Sequence, residues 1–221
     1  MSYLGTNNDK DGIKDSAYIT VVGAESPNIF YWYKNNYEEM DAPFSANYEY
    51  MNTGFDMSNY VTWSIVRNPY DRAIGWYNFH GGVLRGLEKK NPKAAFELSV
   101  WEKGFDAWLS QFYQEASFLM GKDVDKGGWS GARHKFTFTQ CQWLSNDSTD
   151  TVPGDKIDYI IRFENFDEEF AQVQQATGID DGIQLYTGAE KELRTNNFRM
   201  SKKSRAIIEE VFANDFEKFN Y

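Results

Sequence analysis

The chain has 221 residues, 41% of them hydrophobic, and carries 33 acidic against 23 basic side chains, a formal net charge of −10. That length suits one α/β domain with one sizeable core, and that much apolar mass excludes global disorder. The acidic balance repels DNA and anionic membrane at long range, so no nucleic-acid or membrane partner is expected, and an anionic ligand would need a local cluster of cations.

Residues 1–16 are polar and read as a flexible N-terminus, with 17–221 as a single domain. The run 17–22 (AYITVV) is apolar and β-branched and predicts a strand. A loop over 23–28 follows, in which Ser26 can cap a helix and Pro27 can take its first position. Residues 29–37 then form a short aromatic helix, and 40–59 read as irregular. The best strand is 60–66 (YVTWSIV), apolar on both faces as a central strand covered by helices should be. Asn68 can cap the next helix, with Pro69 at its first position and Asp71 in its first turn. That helix is expected to run to Phe79 and to end at Gly81-Gly82.

Phe105, Trp108, Leu109 and Phe112 fall at i, i+3, i+4 and i+7 and predict an amphipathic helix. Residues 127–131 read as a loop and 147–155 as a polar linker, while 134–144 mixes aromatic and polar residues without a clear period. A second strand is expected over 157–163 (IDYIIRF). Asn165 with Glu168 starts a helix whose buried face is Phe166, Phe170 and Val173, and Gly178 stops it. The last helix begins near Ser201 and keeps Ile208, Val211, Phe212, Phe216 and Phe219 at helical spacing. Strands alternating with helices predict an α/β fold: a mainly parallel sheet flanked by helices in three layers.

Cys141 is the only cysteine, so no intrachain disulfide can form, which fits a reducing compartment. The N-terminus lacks a basic-then-apolar signal pattern and no stretch of about 18 apolar residues occurs, so a soluble cytoplasmic protein of bacterial or viral origin is expected. The 7 Trp, 14 Tyr and 17 Phe are open to two readings, core packing or a groove that stacks rings.

In an open α/β sheet, ligands bind where strands end and helices begin. Arg67 stands at such a place, closing strand 60–66 just before a capped helix. Helix N-termini favour anions, and a guanidinium adds charge-assisted bonds to phosphate. The bland alternative pairs Arg67 with Asp71 on the surface. Arg199, Lys202, Lys203 and Arg205 gather at the start of the last helix, where the dipole disfavours cations. They read either as a recruited anion site or as a solvated basic face. The Walker signature of a P-loop kinase is absent.

IVRNPYDRAIGWY (65–77) resembles the 3′-phosphate-binding segment of the membrane-associated carbohydrate sulfotransferase superfamily. FDAWLSQF (105–112), the His134…Gln140-Cys141 segment, IDYIIRFENFDEEF (157–170) and the closing NDFEKFNY are similar to further family blocks and follow the family order. The resemblance implies a P-loop-like fold and 3′-phosphoadenosine 5′-phosphosulfate as co-substrate. It also implies sulfuryl transfer to a hydroxyl, of a carbohydrate in that family, and no metal. Arg67 and Arg199 would bind the donor, Ser26 and its loop would face the 5′-phosphosulfate, and His134 would be the base, with Glu164 as an alternative. Two departures stand out. The 23–28 loop carries Glu25 and lacks the family's Lys, and Gly75 replaces a Ser that donates to the 3′-phosphate. Losing such a bond to a charged group costs about 1.5–3 kcal/mol. A non-catalytic member that binds nucleotide or glycan is therefore the alternative.

Overall fold

A computed structural model describes residues 3–7, 12–19, 21, 24, 27–41, 56–90, 92–111, 139–145, 157–183 and 200–221. Their strands are β1 (Tyr3–Thr6), β2 (Ser16–Ile19), β3 (Glu39–Asp41), β4 (Val61–Val66) and β5 (Tyr159–Arg162). The helices are α1 (Pro27–Asn36), α2 (Pro69–Leu87), α3 (Pro92–Trp101), the helical residues 105–111 (α4) and α5 (Gln140–Leu144), then α6 (Phe166–Thr177), α7 (Lys202–Val211) and α8 (Ala213–Phe219).

The sheet runs β3-β1-β2-β4-β5. β2 pairs in parallel with β4, and β4 with β5, while β1 is antiparallel to both β2 and β3. Two reversals restore direction, so β2, β3, β4 and β5 all point the same way and β1 alone opposes them. The α/β class is as expected. β1 is the surprise, because it lies inside the polar stretch expected to fray. Leu4 is buried there and pairs with Ala17 on one side and Asp41 on the other.

β4 carries the sheet's centre, with all six residues buried. Its Val, Thr and Ile branch at Cβ and suit a pleated surface. Asp158 fixes the register with β5: its carboxylate accepts from Thr62 N–H (2.8 Å) and Thr62 Oγ1 (3.0 Å), and its own N–H donates back to Thr62 Oγ1 (2.9 Å). Trp63 is fully buried and meets Tyr18, Trp32, Tyr33 and Phe170, with ring centroids between 4.8 and 6.3 Å. Among the described residues, the aromatic richness is therefore mainly core. Each such ring adds about 1.5–3 kcal/mol over leaving it exposed.

α2 does not stop at Gly81-Gly82 but continues to Leu87. The glycine reflects close packing rather than an end. A Cβ on Gly81 would clash with the Trp101 ring at Cε2, so only glycine lets α3's Trp101 lie against α2 there. Trp101 Nε1 donates to the Tyr77 carbonyl (2.6 Å), the Tyr77 hydroxyl donates to the Trp101 carbonyl (3.0 Å), and the two rings stack. Phe105, Trp108 and Leu109 are buried on α4 as their spacing predicts; Phe112 lies outside the described residues. α6 ends at Gly178 in the left-handed region, as expected. Ser201 caps α7 by accepting from Ser204 N–H, but the predicted single last helix breaks at Phe212 into α7 and α8.

Candidate functional site

Parallel pairing of β2 with β4, in the register Ile19↔Ser64, brings the carboxyl ends of both strands side by side. The chain leaves β4 through Arg67 and Asn68 and turns at once into α2. Asn68 caps α2 by accepting from Tyr70 N–H (2.9 Å), Pro69 pre-sets the first helical dihedral, and Asp71 complements the dipole.

Arg67 is only 8% exposed. Its guanidinium carbon lies 5.0 Å from the centre of the Phe163 ring, a cation–π distance. Its Nη1 would be 3.2 Å from a Cβ built on Gly75. The side chain thus lies between the end of β5 and the second turn of α2, away from bulk solvent. In the same helical turn, Arg72 Nη1 is 4.0 Å from Asp215 Oδ2, with both side chains buried.

Asp215 connects several sequence blocks. Its carboxylate accepts from the N–H groups of Gln140 (2.8 Å) and Cys141 (2.9 Å), the first turn of α5. Burial raises its pKa, while Arg72 and the two amides pull the other way. The same environment pushes the Cys141 thiol up, through burial first and the Asp215 charge second, so it stays protonated. Gln140 then turns its side chain to the Arg67 backbone. Arg67 N–H donates to Gln140 Oε1 (2.7 Å), and Gln140 Nε2 donates to the Arg67 carbonyl (2.8 Å). One residue on, Asn68 N–H donates to Glu164 Oε1 (2.8 Å), whose other oxygen accepts from the Tyr221 hydroxyl (3.0 Å). The amides of Arg67, Asn68 and Tyr70 are thus all engaged by side chains. An anion at this helix N-terminus, as the sequence led one to expect, would therefore not be held by these three amides. What the turn offers an anion is chiefly the guanidinium and the helix dipole.

A second cation reaches the same helix end. Arg205 of α7 lies 5.1 Å over the Tyr70 ring, and the Tyr70 hydroxyl bonds Glu209. Lys202 and Lys203 are exposed. A cavity of about 580 Å³ opens at the carboxyl ends of β4 and β5, against Val66, Ile160, Arg162, Asn165, Gln172 and Lys218. Among the described residues its lining includes Val66 but not Arg67. Arg162 meets Glu169 rather than Glu164, through Nε (2.7 Å), Nη2 (2.6 Å) and its backbone N–H (2.7 Å).

Of the residues singled out in the sequence, Arg67 and Gly75 come together. Ser26, His134 and Arg199 lie outside the described residues. Glu164 holds the turn and the Tyr221 hydroxyl. His80 is buried, accepting at Nδ1 from Trp108 Nε1 (2.9 Å), with Nε2 3.5 Å from Glu97 Oε2. The residues without an assigned role in the sequence were Gln140, Arg72, Asp215 and Phe163. Gln140 and Asp215 stood inside the family-like blocks, and a buried amide and acid in apolar surroundings were the available signal.

A family model described as "Sulfotransferase family" matches residues 25–221. No match was found among curated proteins or solved structures.

Proposed function

Because this chain belongs to the sulfotransferase family, we propose that it moves a sulfuryl group from 3′-phosphoadenosine 5′-phosphosulfate to a hydroxyl, that of a carbohydrate. The observation that carries the reading is Arg67: a cation buried at the carboxyl end of the central parallel strand, beside an aromatic ring and at the start of a capped helix. In this reading Arg67 holds the 3′-phosphate and Phe163 lies near the nucleoside. Arg205 adds positive charge at the same helix end, and Arg199, outside the described residues, would also bind the donor.

The reaction needs positioning and charge stabilisation, as phosphoryl transfer does. The acceptor oxygen attacks sulfur in line, the bond from sulfur to the 5′-phosphate oxygen breaks, and the nucleotide bisphosphate leaves with the electron pair. The hydroxyl proton passes to a base, for which His134 is the candidate. Ser26 and its loop would face the 5′-phosphosulfate. Incubation with labelled donor and a panel of glycans tests the reading, with transfer expected to at least one acceptor and lost in Arg67→Ala. A folded chain that transfers to none of them would count against it.

A non-catalytic binder of nucleotide or glycan is the second reading. It is favoured by Glu25 in a loop without Lys and by Gly75, which brings no hydroxyl of its own to Arg67. Calorimetry with adenosine 3′,5′-bisphosphate separates the two: heat of binding without turnover selects the second.

A further inference from the structure

Two arms grip the turn that carries Arg67, and neither arm needs to touch a ligand. The first is the Gln140 amide, which matches both the N–H and the carbonyl of Arg67 as a neighbouring strand would. It continues the β4 ladder one residue past Val66 with a side chain in place of backbone. Gln140 is fully buried, and its own N–H is fixed by Asp215, also fully buried. Its side chain is therefore aimed from a rigid base. The second arm is Glu164, which takes the Asn68 N–H and is itself held by the Tyr221 hydroxyl.

We propose that Gln140 and Glu164 are positioning residues that orient Arg67 and thereby set the preference for a nucleotide bearing a 3′-phosphate. The inference rests on the reading of Arg67 as the 3′-phosphate anchor. Its physical basis is that a guanidinium selects phosphate through direction as well as charge. A turn rotated by a fraction of an ångström keeps the charge and loses the direction. Met at position 140 preserves length and burial but offers Arg67 no hydrogen bonds.

Calorimetry with two probes, adenosine 3′,5′-bisphosphate and adenosine 5′-phosphate, tests this on the wild-type chain and on Gln140→Met. The variant is expected to bind the bisphosphate roughly ten- to a hundredfold more weakly, from misplacement of the anchor. Its affinity for the monophosphate should stay unchanged. Added to Arg67→Ala, Gln140→Met should cost no further bisphosphate affinity, which a general loss of structure would not reproduce. A bisphosphate preference that survives in a folded Gln140→Met overturns the inference alone, as does an equal loss for both probes. A wild-type chain with no such preference overturns the anchor reading and this inference with it. If Gln140→Met does not fold by circular dichroism, Tyr221→Phe decides, because it removes only the hydroxyl that steadies Glu164. A loss confined to the bisphosphate supports the inference, and unchanged affinity for it overturns it.

Discussion

At position 75 two effects of one methyl group act in opposite directions. Gly75 sits inside α2, where alanine is favoured over glycine by up to about 1 kcal/mol. The same methyl would stand 3.2 Å from Arg67 Nη1, so the guanidinium must yield by a few tenths of an ångström. An arginine tip can do that at little cost in stability. Gly75→Ala is therefore expected to unfold at the same or a higher urea concentration while binding adenosine 3′,5′-bisphosphate more weakly. If affinity is untouched, the close approach of Arg67 to the helix has no role in binding. The absent serine hydroxyl thus has a structural counterpart: what stands at position 75 leaves room for the guanidinium. Arg67 and Gly75 lie eight positions apart in the turn and helix that follow β4, so local pattern is enough to place both. Gln140 and Glu164 were not, because they reach the turn across 73 and 96 positions of chain. No local propensity encodes such a meeting.

Individual elements show the same division. β4, the Asn68-Pro69 cap, β5 and the buried face of α4 follow from short-range patterns, and the structure has all of them. Gly81 misleads, since a glycine pair at the end of an apolar stripe reads as a stop until the partner helix is known. Gly81→Ala should test that difference. Overpacking against a ring clasped at both ends costs about 1–3 kcal/mol and outweighs the helix-propensity gain of up to about 1 kcal/mol. The urea midpoint is expected to fall, whereas a helix terminus would tolerate the change. The start of α6 carries a pH effect. Burial acts to raise the Glu169 pKa, but the hydrogen bonds from Arg162 and Asn165 prevail and lower it. A carboxylate with a depressed folded-state pKa stabilises the fold above its unfolded value, about 4.3, and loses that contribution as pH falls through the folded value. Urea unfolding between about pH 6 and pH 3 should therefore show a shallower acid loss in Glu169→Gln than in the wild type. Equal slopes would mean that the Arg162 pair contributes nothing to the acid limb.

Across the whole molecule, local and distant pairings are unevenly distributed. β1, β2 and β3 meet through short spans of chain, and their aromatic neighbours Tyr3, Tyr18 and Tyr33 gather on one another. The turn that bears Arg67 is completed only when Gln140, Glu164, Asp215 and Tyr221 have all arrived. Closing long loops before any contact repays them slows folding. Ligand competence should therefore trail collapse. In a stopped-flow refolding experiment, quenching or enhancement of Trp63 against its tyrosine neighbours is expected to finish before the chain can capture a fluorescent bisphosphate nucleotide. The interval between the two signals would measure how long a newly collapsed molecule waits for its last and most distant clasps.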